Sequence, residues 1–285
     1  MMRGPASRQG SLASIPRMPS RSAEAQADAI ARLYDLDLSE DAGDVELHLA
    51  LARRTGGPVV ELAVGTGRIA VPLAEAGYDV VGVDIDRGML DRARTRIASA
   101  GAEIASRIRL VEADLLDADG HEAVTSAGPF QLAILCLNSI LLLANAAAQR
   151  RAIATMARLV APGGLLVVDA WQPSPADLVA FDGRISLEWL RTDRETGREV
   201  TKQLAAWYEH LHRTVTLTTI FDEGTPGTPP ARWVRQDALR LISADELIGF
   251  ADAAGLEIER LAGDYDLRPL EPGSDRVVLV ARKQA

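Results

Sequence analysis

The stretch VVELAVGTGRIAVPL, Val59 to Leu73, decides how this chain is read. It has the form of a buried strand, a glycine turn and the start of a helix. Within it, Gly65-Thr66-Gly67-Arg68-Ile69-Ala70 fits the G-x-G-x-x-[G/A] pattern of turns that seat nucleotide cofactors. Glycines in such a turn let backbone approach a ligand at the carboxyl edge of a parallel sheet. The pattern alone does not choose between a nicotinamide dinucleotide and another nucleoside.

Strands and helices alternate outward from this turn. DVVGVD, RIRLVEAD, FQLAILCLN and LLVVDAW read as the second to fifth strands. RGMLDRARTRIASAG and NAAAQRRAIATMARLVAPGG read as helices, the second running into a Pro-Gly-Gly turn. SAEAQADAIARLYDL and DVELHLALARR are two helices ahead of the first strand. The strands are apolar throughout, as expected of a parallel sheet covered on both faces. After Trp171 the grammar changes: ISLEWLRT, REVTKQLAAWY, TVTLTTIF and ARWVRQDALRLI predict an antiparallel β insert at about residues 172–242. SADELIGFADAAG then reads as a helix with a capping box, and LEIERLAGDY with DRVVLVARK as a closing hairpin.

Composition bounds the partners. The chain has 285 residues, 47% hydrophobic and 25% charged, enough to bury a sizeable core. Its net charge of −9 disfavours a nucleic-acid partner, because phosphate backbones are repelled. The longest apolar run, LAILCLNSILLLANAAA, is interrupted by Asn138 and Ser139, so no membrane span is expected. The single cysteine, Cys136, reads as a small buried hydrophobe of a reducing cytoplasm. Residues 1–22 hold four arginines and no acid. They read as a disordered tail, with Met18 as an alternative start and a transit peptide as the other reading. The folded domain is expected over residues 23–285.

Three acids bear on the cofactor: Glu61 and Asp114, with LVAPGGLLVV before the fifth strand, narrow the choice, whereas Asp84 suits any nucleoside. Glu61 lies in the first strand, just before the glycine turn. An acid there repels an incoming pyrophosphate and suits a ligand with an ammonium group and a positive sulfonium. Asp84 ends the second strand, where a carboxylate accepts from ribose hydroxyls. Asp114 ends VEAD, where a carboxylate accepts from an adenine amine. An acid at the end of a buried strand needs a partner.

Together VVELAVGTGR, VVGVDIDRGML, RLVEADLLD and LVAPGGLLVVDAW, in this order, resemble the class I S-adenosylmethionine-dependent methyltransferases, in their small-molecule branch. The resemblance covers roughly residues 25–171 and the final hairpin. It implies an α/β fold: a Rossmann-like seven-stranded sheet with helices on both faces and the last strand antiparallel. It implies S-adenosylmethionine as cofactor, S-adenosylhomocysteine as product, and no metal. Carried over by position, Glu61, Ala63 and Gly65 line the methionine part and Gly67 shapes the turn. Asp84 holds the ribose, and Ile85 and Met89 lie by the adenine, with plain core as the alternative. Asp114 and the Leu115 amide read the adenine. The Cys136 carbonyl meets the ammonium, and Tyr34 closes over the cofactor. Ala63 departs from the family, which usually has glycine there.

The acceptor is less legible. The DNA-amine and cytosine-C5 signatures are absent after the fourth strand, and only Asp169 matches the acids of metal-dependent catechol-type enzymes. The related small-molecule enzymes often read N-S-x-x-H here. Asn138 and Ser139 match, but the histidine position is Leu142. His210, His212 and Tyr265 are the remaining base candidates, against a solvated turn for the histidines and a packed aromatic for Tyr265. Asn138, Trp171 and Tyr208 are expected at the substrate pocket, and the tryptophans of the insert either wall that pocket or pack the insert. The reading is methyl transfer to nitrogen or oxygen of a small molecule, by a monomer or homodimer. The alternatives are an S-adenosylmethionine-binding protein without transfer and, more distantly, an NAD-dependent oxidoreductase.

Overall fold

A computed structural model describes residues 23–38, 43–225 and 227–284. The reading of residues 1–22 falls outside them.

Two helices, α1 (Ala23–Asp37) and α2 (Val45–Thr55), precede the sheet. The α/β body follows as β1 (Val59–Leu62), α3 (Ala70–Glu75), β2 (Val80–Asp84), α4 (Arg87–Ser99), α5 (Ala102–Arg107) and β3 (Ile108–Glu112). A 3-10 helix, Leu115–Gly120, and α6 (Glu122–Thr125) lead to β4 (Phe130–Leu135). A second 3-10 helix, Ser139–Leu142, then α7 (Ala146–Leu159) and β5 (Val160–Trp171) complete that half. α8 (Pro175–Ala180) opens the insert, whose strands are β6 (Asp182–Thr192), β7 (Glu199–Glu209), β8 (Thr214–Gly224) and β9 (Ala231–Arg240). α9 (Ala244–Ala253), β10 (Leu256–Ala262) and β11 (Arg276–Lys283) end the chain.

Seven strands form one sheet in the order β10-β11-β5-β4-β1-β2-β3. β1 to β5 are parallel, and β11 runs antiparallel between β5 and β10. β1 is fully buried in the centre, flanked by β4 and β2, so the turn after it opens where the strand order reverses. One buried cluster lies on the face covered by α7 and α9, the other on the face covered by α2, α3 and α4. This is the Rossmann-like architecture expected from the alternation of strands and helices. β5 begins earlier than LLVVDAW: it carries Pro162-Gly163-Gly164 within the strand, beside an irregularity in its pairing with β4. Pro-Gly-Gly reads as a turn locally, and residues 161–164 do bulge out of the ladder: Val160 pairs with Phe130, the next pair is Leu165 with Leu132, and Gly163 has φ of 79°.

The insert strands form a separate antiparallel sheet, β6-β7-β8-β9. Trp189, Val200, Phe221 and Trp233 pack under α1 with Leu33. Trp171 packs on Phe181, with ring centroids 5.7 Å apart. Trp207 is 57% exposed on the opposite face. The tryptophans therefore split between tying the insert to α1, walling the end of β5 and facing solvent. Among the described residues, no helix is long and apolar enough to cross a membrane.

Candidate active site

The glycine turn is built on left-handed backbone. Gly65 and Gly67 have φ of 55° and 78°, and Ala63 has φ of 56°. Glycine meets this geometry without strain, whereas an alanine Cβ crowds the following carbonyl, at a cost of about 1–2 kcal/mol. Ala63 is thus unusual in conformation as well as in identity. Asp84 holds the turn from the next strand. Its Oδ2 accepts from Gly65 N at 2.8 Å and its Oδ1 from Asp86 N at 2.8 Å. A carboxylate offers about four acceptor sites, so capacity remains for a ribose hydroxyl.

A small cavity opens beside this turn. Tyr34, Glu61, Ala63, Thr66, Arg68 and Ser139 line it, with Cys136 and Leu137 at its base. Glu61 is 2% exposed, and its Oε2 has no hydrogen-bond partner. Burial pushes its pKa up to about 8, opposed by the Arg68 cation and reinforced by the Asp44 and Asp84 carboxylates. A buried, unpartnered acid of this kind is costly unless a cation meets it. Among the described residues, Arg68 is the one cation lining the cavity. Asp44 accepts from its Nη1 at 2.7 Å and its Nη2 at 2.6 Å. Burial would raise the Asp44 carboxyl, but the Arg68 hydrogen bonds and charge hold it below its ordinary value. His48, one turn along α2, is buried with both ring nitrogens unpartnered, and burial lowers its pKa to about 4. It is therefore neutral near pH 7.

Tyr34 reaches the cavity because α1 is strapped across the turn. Asp35 accepts from Thr66 Oγ1 at 2.6 Å, Arg92 Nε at 2.6 Å and Arg96 Nη2 at 2.8 Å. From the insert, Trp189 Nε1 and Lys202 Nζ donate to Asp37 at 2.8 and 2.7 Å. Arg32 bridges α1 to Asp193 and Glu223.

The loop after β4 lines another side of the cavity with Leu137 and Ser139. Leu137 and Asn138 are consecutive non-glycine residues with φ of 53° and 67°. Two backbone ties hold this strained geometry: Leu137 N donates to Asp169 Oδ1 at 2.7 Å, and Trp171 N donates to Asn138 Oδ1 at 2.7 Å. Behind it, Tyr265 Oη donates to Asp169 Oδ2 at 3.1 Å, and Arg276 donates to Tyr265 Oη. Burial lifts Asp169 to about 6, countered by the Leu137 amide and Arg276.

Tyr34, Glu61, Ala63 and Cys136 thus meet at one cavity, with Gly65, Gly67 and Asp84 shaping its rim. Cys136 differs in detail from the expectation. Its carbonyl already accepts from Ser139 Oγ at 2.7 Å and Ser139 N at 3.2 Å, whereas Glu61 Oε2 beside it has no hydrogen-bond partner. Ile85 is 70% exposed at the end of β2, where a flat apolar group would cover it. Met89 is buried on α4, which favours the plain-core alternative. Asp114 is exposed and caps the first 3-10 helix, accepting from Leu116 N at 2.8 Å, with Leu115 beside it. Asn138 and Trp171 are joined by their hydrogen bond, and Tyr208 packs with Trp171 against the same core cluster. His210 and His212 lie on the exposed β7–β8 turn, where His212 pairs with Glu209. Tyr265 is a poor base, since burial and the Asp169 charge raise its pKa. Asp44, His48 and Arg68 were missed. The only local signal was the His48 spacing one helical turn after Asp44, because the Arg68 contact spans 24 residues.

A β1 acid, a left-handed glycine turn and this strand order define a nucleoside-cofactor site of the methyltransferase type. Comparison with known proteins agrees. Residues 59–164 match the family model described as "Methyltransferase domain". The fold is similar to the CcbJ methyltransferase from Streptomyces caelestis: TM-score 0.75, 26% identity, covering 91% of this chain and 98% of that one. It is also similar to S-adenosylmethionine-bound CalS10, an amino pentose methyltransferase from Micromonospora echinaspora: TM-score 0.65, 21% identity, covering 88% and 97%. A curated relative, the cypemycin N-terminal methyltransferase of Streptomyces sp, is 26% identical over 84% of this chain and 87% of its own length. Two other curated methyltransferases are matched over 42% and 47% of their lengths, so the chain spans about half of each. Over the matched domain the chain is similar to class I S-adenosylmethionine-dependent methyltransferases, which supports S-adenosylmethionine as its cofactor.

Proposed function

We propose that this chain transfers the methyl group of S-adenosylmethionine to nitrogen or oxygen of a small molecule. The observation that carries the reading is the buried carboxyl of Glu61, whose Oε2 has no hydrogen-bond partner, in the cavity beside the glycine turn. An ammonium placed against that group draws it to the carboxylate, and a pyrophosphate gives it no such partner, so the nicotinamide alternative is set aside.

When bound, S-adenosylmethionine supplies a methyl group already activated on a sulfonium. Glu61 would hold the ammonium of its methionine part and Arg68 the carboxylate. Asp84 would hold the ribose, and Asp114 with the Leu115 amide the adenine amine. Tyr34 would close the cavity and exclude water. The enzyme's main contribution is then to align the acceptor with the methyl carbon. Asn138, Trp171 and Tyr208 border the side from which an acceptor would approach, and residues 172–242 would form a lid over it. The names of the sugar and amine methyltransferases among the relatives support a small acceptor. We read the chain as a cytoplasmic monomer or homodimer with its methyltransferase domain over residues 23–285.

Release of S-adenosylhomocysteine in the presence of small amines and alcohols, with duplex DNA as control, tests the reading. Release with a small acceptor is expected. Leu142, in place of the histidine of related enzymes, favours the second reading, binding without transfer. Tight cofactor binding without release from any acceptor would select it.

A further inference from the structure

The inner face of the insert carries an ion pair that no other part of the site uses. β9 rests on α1 at one end and on the second 3-10 helix at the other. Trp233 packs with Leu33 and Phe221 at the α1 end. Leu239 is buried with Ile140 and Leu141 at the other. Strand alternation places Arg235 and Asp237 on the same face, between these two anchors. β9 therefore spans from the helix bearing Tyr34 to the loop after β4, with these two side chains turned inward. Both are partly shielded, at 30% and 22% exposure, and Arg235 Nε lies 2.7 Å from Asp237 Oδ2. The Arg235 charge reaches the site: with Arg68 it draws down the pKa of the Tyr34 phenol, which burial raises. Thr219 and Leu217, opposite Arg235 and Asp237 on β8, are also only partly buried.

We propose that Asp237, oriented by Arg235, receives the nucleophilic nitrogen of the acceptor, and that the acceptor is a primary or secondary amine. This rests on the methyltransferase reading and specifies its substrate class. The neutral amine gives its lone pair to the methyl carbon as the carbon–sulfur bond breaks, the bonding pair going to sulfur. The nitrogen becomes a methylammonium, which then loses a proton to water. Positive charge develops on nitrogen during transfer, and an adjacent fixed carboxylate stabilises it. An alcohol would need a base to take its proton during transfer. The sequence has Leu142 where related enzymes place histidine, and Tyr265 is tied behind the loop to Asp169. A carboxylate on the inner face of β9 serves an amine without that base.

The test pairs amino sugars and alkyl amines with their hydroxyl counterparts, measured by S-adenosylhomocysteine release. Amines should be turned over and the hydroxyl compounds not. Asp237→Asn should lower kcat/KM for the best amine by about 10- to 100-fold, the range of a lost charge-assisted hydrogen bond. It should weaken calorimetric binding of that amine to protein saturated with S-adenosylhomocysteine, and leave S-adenosylmethionine affinity unchanged. Asp237→Glu should recover part of the loss, and Gln236→Ala, on the outer face, should change nothing. Turnover of hydroxyl compounds alone, of no amine, or of amines equally by Asp237→Asn would overturn the proposal while intact cofactor binding left the methyltransferase reading standing. Absence of cofactor binding would remove both.

Discussion

Cofactor binding near neutral pH should release a proton from Glu61. In the free protein this carboxyl is held at about 8 by burial, so at pH 7 it is ~90% protonated. An ammonium placed against it favours the carboxylate, and a bound value below about 6 would release roughly 0.8–0.9 proton per cofactor. Calorimetry in phosphate and in Tris reads this directly, because the apparent enthalpy changes with the buffer's own ionisation enthalpy in proportion to protons exchanged. The slope should fall below half by pH 8.5, where Glu61 is already ionised. Glu61→Gln should abolish the release and weaken binding by about 1.5–3 kcal/mol, the range for a hydrogen bond to a charged group. A wild-type enthalpy independent of buffer at pH 7, or the same slope in Glu61→Gln, would refute the assignment of the ammonium to Glu61.

Other consequences are separable. Ala63→Gly should relieve about 1–2 kcal/mol of left-handed strain and lose ~0.5–1 kcal/mol to the freer unfolded chain. A net gain of up to about 1 kcal/mol in urea unfolding is expected, and a clear destabilisation would contradict the strain argument. Arg68→Ala leaves the fully buried Asp44 without its bidentate partner and should cost about 3–5 kcal/mol, read by the same unfolding. The pH dependence of stability follows from Glu61 and Asp169, whose folded values of about 8 and 6 are raised. Their contribution is full below the ordinary carboxylate range and is lost as pH rises through those values. The stability of the wild type relative to Glu61→Gln should therefore fall between pH 5 and pH 8, by up to roughly 1.4 kcal/mol per unit. A constant difference would show that Glu61 does not titrate there.

The parts of the fold legible in the sequence are those whose signals are local. Apolar runs closed by Gly77 and Gly101, and the alternation in REVTKQLAAWY and TVTLTTIF, correspond to observed helix ends and strands. Pro162-Gly163-Gly164 turns as its residues suggest, but as a bulge between the paired residues Val160 and Leu165 rather than ahead of the strand. Glu61 and Ala63 stood out because each breaks a local expectation: an acid in a buried strand, a side chain where glycine is usual. The Arg68–Asp44 pair, the Asp35 strap and the Asp169–Tyr265–Arg276 tie link residues from about 11 to 107 positions apart, and spacing gives no hint of them. The split of the tryptophans was equally hidden, since a strand shows which residues share a face but not which face is covered.

Titration of the wild-type protein with S-adenosylmethionine and, separately, with NAD tests the central claim most directly. The account predicts saturable binding of S-adenosylmethionine at one site per chain and none of NAD, because the buried Glu61 is met by an ammonium and not by a pyrophosphate. Saturable NAD binding with no response to S-adenosylmethionine would contradict it.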